Sequence, residues 1–229
     1  MSYQLESEMI PALMTSLAPL LVKDAPYVVA CEVPDGSRVV DVMYAVLPTT
    51  WRTSPEEDFA AKLGRLSIAQ AVVLSLLWRE QRMSLHRLSR LSFVSEDRLV
   101  AEYLGPMERA DLVARDGRSW CVTEWAQRRP PHLIAVEAKL RDWREAMSQA
   151  VDNRKRSDES YIALPRMDNR QRASTIRARA TEFGIGVVEV DADGAATITT
   201  KARRVPARES HGKWGVAVRL LGKECPRTL

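Results

Sequence analysis

The chain has 229 residues, 45% of them hydrophobic, enough to bury the core of one domain or two small ones. Its net charge of +4 and pI near 9.1 are compatible with a polyanionic partner, although Asp and Glu balance most of the basic charge. The three cysteines, Cys31, Cys121 and Cys225, lie far apart with no Cys-x-x-Cys or Cys/His spacing, which argues against a disulfide framework or a zinc site.

Leu5, Met9, Ile10, Leu13, Leu17 and Leu20 recur at helical spacing and predict one amphipathic helix over Leu5–Leu21. On a wheel of about 100° per residue Glu6 falls inside the apolar arc and Glu8 opposite it. Glu6 is therefore expected to face inward, where an acid needs a partner. Tyr27–Val33 and Arg38–Leu47, on either side of Pro34-Asp35-Gly36-Ser37, predict a β-hairpin. Asp41 is the one charge among Val39, Val40, Val42 and Met43, a run too apolar on both sides for an edge-facing residue.

The character changes at Ser54-Pro55-Glu56-Glu57, a capping box with proline at the first helical position. Helices are predicted over Ile68–Trp78, Leu85–Leu91 and Ser95 to about Leu104, each behind a serine cap, and Gly105-Pro106 is expected to end or kink the last. Leu112–Thr123, turning at Asp116-Gly117, predicts a second hairpin. The stretches Leu66-Ser-Ile-Ala-Gln-Ala-Val-Val-Leu, Ser95-Glu-Asp-Arg-Leu-Val and Leu112-Val-Ala-Arg-Asp-Gly-Arg-Ser-Trp-Cys-Val-Thr give this block of about 70 residues its order of helices and wing. In that order it resembles the bacterial winged helix-turn-helix regulators. The resemblance implies that the Ser95 helix enters the DNA major groove, with Arg98 reaching base edges or phosphate and Arg115 and Arg118 on the wing. Glu96, Asp97 and Glu102 on the same helix would repel phosphate, so a protein-contact role is the competing reading.

After Pro130-Pro131 comes an apolar strand, His132-Leu-Ile-Ala-Val-Glu-Ala-Lys139, in which Glu137 and Lys139 project from the same side. Asp142 can cap a helix whose stripe is Trp143, Ala146, Met147, Ala150 and Val151, with Gln149 on its flank. A strand at Tyr161–Leu164, an Arg-rich helix over Asp168–Phe183 stopped by Gly184, and a strand at Gly186–Val190 follow. Ala202–Leu229 is basic and receives no assignment. Cys31 and Cys121 are read as core fillers, and His86, His132 and His211 as structural.

With the block from Ser54 to Thr123 set aside, the order is helix, three strands, helix, strand, helix, strand. Glu6 lies on the first helix, Asp41 in the second strand and Glu137-x-Lys139 in the third. Val136-Glu-Ala-Lys-Leu-Arg-Asp-Trp-Arg-Glu-Ala-Met-Ser-Gln-Ala and Ser160-Tyr-Ile-Ala-Leu-Pro165 complete the pattern. On these residues the chain resembles the PD-(D/E)xK nuclease superfamily over about 150 residues. The resemblance implies an α/β fold: a restriction-endonuclease-like αβββαβ core with a mixed sheet, plus an inserted, mostly helical winged-helix domain. The expected divisions are residues 1–50 and 129–200 for the core, 51–128 for the insertion and 201–229 for a basic extension.

Phosphodiester hydrolysis adds charge to an anionic phosphate, which a divalent cation must offset while it acidifies an attacking water. Mg²⁺ (or Mn²⁺) prefers oxygen ligands. Asp41, Glu137 and the main-chain carbonyl of Ala138 are the implied metal ligands, with Glu6 on a metal-bound water or a second ion. Lys139 would orient the nucleophilic water, and Gln149 would sit at the site's edge. DNA is the implied partner, with a homodimer or protein complex as a further possibility. In the bland reading Glu137 and Lys139 form a surface ion pair contributing about 0–1 kcal/mol, and Asp41 is a satisfied buried acid. The functional alternatives are a non-catalytic DNA-binding regulator and a protein-interaction subunit of a DNA-processing or defence complex. With no membrane-length apolar run and no basic leader followed by apolar residues, a cytoplasmic protein with no membrane partner is expected.

Overall fold

A computed structural model describes residues 3–35, 38–48, 59–127 and 130–223. The expected capping box at Ser54–Glu57 and the Gly36-Ser37 centre of the first hairpin lie outside the described residues. In chain order a 3-10 turn at Glu6–Met9 leads into α1 (Ile10–Thr15), α2 (Ala18–Val22), β1 (Tyr27–Asp35) and β2 (Arg38–Val46). Then come α3 (Phe59–Gly64), α4 (Ile68–Glu80), β3 (Arg82–Ser84), α5 (Leu85–Ser92), α6 (Glu96–Arg98), α7 (Gly105–Arg109), β4 (Val113–Asp116) and β5 (Ser119–Val122). The chain continues through β6 (His132–Ala138), α8 (Trp143–Asn153), β7 (Glu159–Pro165), α9 (Arg170–Phe183), β8 (Gly186–Val190), β9 (Ala196–Thr200) and α10 (Ser210–Lys223). Two compact units result: Met1–Thr49 with Pro131–Glu209 and Pro226–Leu229, and Thr50–Pro130 with Ser210–Cys225. Among the described residues no helix is long and apolar enough to cross a membrane.

The first unit is α/β, built on a six-stranded mixed sheet in the order β1-β2-β6-β7-β8-β9. Its pairs are antiparallel except β6/β7 and β7/β8, which are parallel and joined through the crossover helices α8 and α9. The central strands are apolar on both sides because helices cover both faces. Ile134, Val136, Ala138 and Ala163 pack with Met9, Leu13 and Leu17, whereas Ile162, Leu164 and Val187 pack with Ala146, Met147 and Ala150 of α8 and Ile176 and Ala180 of α9. A side chain at residue 186 would collide with the Tyr161 ring, 2.1 Å from where its Cβ would stand, so Gly186 lets the tyrosine lie across its own strand partner.

The predicted first helix is broken into three pieces. Pro11 and Pro19 each stand in the opening turn of a new helix, since proline lacks an N–H and its ring excludes a preceding helical turn. Met9, Leu13 and Leu17 are still buried, but Leu5 and Leu20 are exposed. Cys31 is also exposed, not a core filler, because β1 is the edge strand of the sheet. At the opposite end of β6, His132 joins Glu159 (2.9 Å) and Asp158 (3.4 Å), and Tyr161 donates to Glu159 (2.9 Å). Burial works to raise the Glu159 pKa, but the His132 and Tyr161 hydrogen bonds outweigh it and hold the carboxyl below its ordinary value. Asp158 accepts from the backbone of Leu133 and of Ala207, tying the segment after β9 to the sheet.

In the second unit Ser67 caps α4 reciprocally with Gln70, and Ser84 caps α5. The chain stays helical from Glu96 to Arg109, so Gly105-Pro106, expected to end or kink this helix, does not end it. A π-helical turn at Leu99–Leu104, in which the Gly105 N–H bonds back to Val100, takes up the misfit. Pro106 has no N–H for the carbonyl of Glu102, and Gln70 Nε2 supplies the missing donor at 3.0 Å. A three-stranded sheet, ordered β3-β5-β4, includes the three-residue β3 that periodicity does not reveal. The unassigned basic tail contains α10, which packs on α3 and α4 and buries Trp214, Val216, Ala217, Val218, Leu220 and Leu221.

Helix α3 approaches α10 through paired glycines. A Cβ on Gly64 would stand 2.7 Å from the carbonyl oxygen of Leu221, and one on Gly222 would stand 2.7 Å from that of Gly64. Backbone cannot yield as a side chain can, so Gly64→Ala should destabilise the protein by about 1–3 kcal/mol despite alanine's higher helix propensity. Urea denaturation of the variant measures this; a gain in stability would show that the helices part freely.

Candidate functional site

The antiparallel ladder between β2 and β6 runs from Val46↔His132 to Val42↔Val136. One rung further, Asp41 stands opposite Glu137. Residues directly opposite on antiparallel strands share a face, so the register places both carboxylates on the same side of the sheet. Side chains at alternate positions of these strands, Val42, Val136 and Ala138, belong to the core cluster that contains Met9 and Leu13. The acids accordingly project to the face that carries α8.

Glu137 is only 3% exposed, and Asn153 near the end of α8 donates from Nδ2 to its Oε1 at 2.6 Å. Asp41 is half-buried, and its Oδ2 accepts the backbone N–H of Ala138 at 2.7 Å. Ala138 thus enters the site as a donor to Asp41. Burial drives the Glu137 pKa up to about 7; the Asn153 hydrogen bond opposes the rise and the Asp41 charge adds to it. Burial likewise raises Asp41, against the pull of the Ala138 amide and the Lys139 charge. Two facing carboxyls that are both raised resist being ionised together.

Lys139 lies just beyond the end of β6, its side chain 15% exposed, and donates from Nζ to Glu6 Oε2 at 3.2 Å. Burial alone would lower its pKa, but the hydrogen bond and charge of Glu6, with the charges of Asp41 and Glu145, raise it. Glu6 also accepts from the Leu140 backbone N–H at 3.4 Å. Its side chain is 45% exposed instead of facing the core, because it sits in the 3-10 turn before α1 and not on a continuous α-helix. The inward acid therefore has its partner at the rim of the sheet. Asp41, Glu137, Lys139 and Glu6 form one connected electrostatic cluster.

Gln149 does not join it. Its Nε2 donates to Glu145 at 3.2 Å and its Oε1 is buried without a hydrogen-bond partner. The α8 residue that reaches the acids is Asn153, four positions later, where it continues the buried stripe of Ala146 and Ala150. A lone amide on an apolar stripe was the signal for it in the sequence. A third acid, Glu32, lies across from Asp41 on the β1 side, between the rungs Cys31↔Val42 and Val33↔Val40. Its backbone takes a φ of 50° and its side chain is exposed. Among the described residues no group of three or more His, Cys, Asp or Glu is arranged to hold a metal ion.

Of the expected DNA contacts in the second unit, Arg98 pairs with Glu102 at 2.8 Å and Arg115 donates to the Gly117 carbonyl at 3.2 Å, while Arg118 is exposed. Protein-family models, curated proteins and solved structures were compared with the chain. None matches it.

Asp41 and Glu137 are two facing oxygen donors, the type of ligand that hard divalent cations take. The raised Glu137 pKa makes stability depend on pH. The Glu137 pKa is raised in the folded state from 4.5 to about 7. Between those values the folded state holds a proton that the unfolded state has released, so this group's contribution falls as pH rises through the window and stays unfavourable above it. Glu137→Gln mimics the protonated acid, keeping an acceptor for Asn153 and a donor for Asp41. It should stabilise the protein by about 1–3 kcal/mol at pH 8 and by little at pH 4.5, as measured by urea denaturation at both values. An equal effect at the two pH values would rule out the raised Glu137 pKa.

Proposed function

We propose that the chain is a metal-dependent nuclease of the restriction-endonuclease-like class, hydrolysing DNA phosphodiester bonds at the Asp41–Glu137–Lys139 cluster. The observation that carries this reading is the facing pair Asp41 and Glu137, with the Lys139 ammonium drawn to the same corner by Asp41 and Glu6. The element order of the first unit, a leading helix, three antiparallel strands, a helix and a parallel strand, is consistent with it. Asp41 and Glu137 would hold Mg²⁺ or Mn²⁺, which would neutralise phosphate charge and acidify a bound water. Asn153 would hold the Glu137 carboxylate in place, and the Ala138 amide that of Asp41. Lys139 carries a firmly held positive charge with which to orient the attacking water and oppose charge on the phosphate. Glu6 keeps that ammonium in place.

Incubation with linear, supercoiled, branched and single-stranded DNA in Mn²⁺ tests the proposal. Cleavage should require the metal and fall by about 10²–10³-fold in Lys139→Ala and at least as far in Asp41→Asn. Independently of turnover, Mn²⁺ should raise the melting temperature at pH 8, and less so in Glu137→Gln. Absence of metal-dependent cleavage on all four substrates, or cleavage that survives Lys139→Ala, would sink it.

For the second unit the favoured partner is a protein. On the helix expected to read DNA, Arg98 is neutralised by Glu102, and Glu96 is engaged with His86 at 3.2 Å. In the turn before that helix Phe93 is 95% exposed, with a φ of 57° that a bulky residue adopts at a cost. Substituting Arg98, Arg115 and Arg118 together by alanine should leave duplex affinity of the full chain within about twofold; a drop of tenfold or more would assign the unit to DNA.

A further inference from the structure

Two residues beyond Lys139 the chain enters the wall of a cleft of about 630 Å³. Arg141, Asp142, Trp143 and Arg144, at the start of α8, line one side, and Asn169 and Arg172, at the start of α9, line the other. Arg172 Nη2 donates to the Arg141 carbonyl at 2.9 Å, which clips the two walls together. The Arg144 guanidinium carbon lies over the Trp143 ring, 4.8 Å from its centroid, a cation–π contact. Asp142 and Asn169 use their side-chain oxygens to cap α8 and α9. Among the described residues none of Arg141, Arg144 and Arg172 is in an ion pair, whereas Arg156, Arg177 and Arg179 of the same unit are. Three guanidiniums against one carboxylate leave the cleft net positive.

We infer that this cleft binds a single nucleic-acid strand that runs from it into the Asp41–Glu137 site. Guanidiniums recognise phosphate through paired N–H donors, and Trp143 with Arg144 over it brings an aromatic ring and a guanidinium together, the two side-chain types on which unpaired bases stack. A volume in the range of small-molecule pockets takes a nucleotide-sized unit, whereas a duplex presents a major groove about 12 Å wide and two backbones. Lys139 and Arg141 are two residues apart, so their Cα atoms are separated by at most about 7 Å. That separation is short enough for a strand whose one phosphate meets Arg141 and Arg172 to bring a neighbouring phosphate within reach of Lys139. The strand therefore enters between the N-termini of α8 and α9, and the class of substrate is DNA or RNA with an unpaired segment at the cut. This inference rests on the nuclease reading for the position of the scissile phosphate, but binding is measurable without cleavage.

The test uses the full chain in EDTA, with fluorescence anisotropy of a labelled single-stranded oligonucleotide, the matching duplex, and a free mononucleotide as competitor. The single strand should bind tighter than the duplex by about tenfold, and the mononucleotide should compete only weakly. Arg141→Glu with Arg172→Glu should weaken strand binding by about tenfold or more and flatten its dependence on log salt by about 0.7 for each phosphate no longer neutralised. Trp143→Ala should weaken it by about tenfold, whereas Arg65→Glu, a matched reversal at an exposed position of the second unit, should not. Arg172→Lys, which keeps the charge and removes the fork, should fall between wild type and the reversal and serves if the double variant does not fold. Duplex binding as tight as single-strand binding, a mononucleotide that competes as well as the strand, or affinity indifferent to Arg141 and Arg172 would overturn the inference. Cleavage assays in metal report separately on Asp41 and Lys139, so failure of the nuclease reading leaves a distinct signature: strand binding intact, cleavage absent.

Discussion

The interaction on which the rest depends is the bond from the Ala138 amide to the Asp41 carboxylate, which joins residues 97 positions apart. It locks the end of β2 to the end of β6 at the rung where the acids face each other. An aspartate buried this far is costly unless its oxygens are satisfied. Here one oxygen takes a backbone N–H, and the facing Glu137, held by Asn153, is itself pushed toward its protonated form by burial. Removing either acid would leave the other buried with an unsatisfied partner. This explains how β2 and β6, apolar on either side of Asp41 and Glu137, tolerate two acids at one point. It also carries a cost: a Glu137 whose pKa is pushed up to about 7 by burial detracts from stability once the pH rises past that value.

Electrostatics around that pair are graded. Glu137 and Asp41 are the buried end, Lys139 is intermediate, and Glu6 is half-exposed. Glu6 holds the ammonium and the Leu140 amide together, so the leading turn of the chain shapes the exit of β6. The next residues form the arginine-lined cleft, and its two walls are the beginnings of the crossover helices that the parallel strands require. Site and cleft thus both lie at the ends of β6 and the elements that follow it, which is where connections in α/β sheets collect functional groups.

The second unit shows how a local conflict is resolved by tertiary contact. Pro106 should stop the helix that begins at Glu96. A π-helical turn and the Gln70 amide, which replaces the donor that proline lacks, let it continue. Gln70 also serves the Ser67 cap, so one side chain supports the start of α4 and the middle of its neighbour.

Much of this was legible in the residues alone. Turn chemistry at Asp116-Gly117, the serine caps at Ser67 and Ser84, the Asp142 cap and the Gly184 stop are local, and a local reading finds them. The apolar strands and the flanking helices follow from period and length, and the isolated acids at Asp41 and Glu137 declare themselves by being out of place. What depends on the far side of the fold could not be read so. Whether Cys31 is exposed depends on β1 ending up at the edge of the sheet, and the orientation of Glu6 depends on two prolines cutting its helix. Asn153 in place of Gln149 was a choice between two amides one helical turn apart, settled by how far α8 extends along β6. Helix α10 carries three glycines, Gly212, Gly215 and Gly222, that weaken any helical pattern, and its apolar face has meaning only once α3 and α4 are there to receive it. The sequence by itself determined which residues were unusual; the tertiary structure decided which of them meet, because register and crossover connections act over separations that no local periodicity encodes.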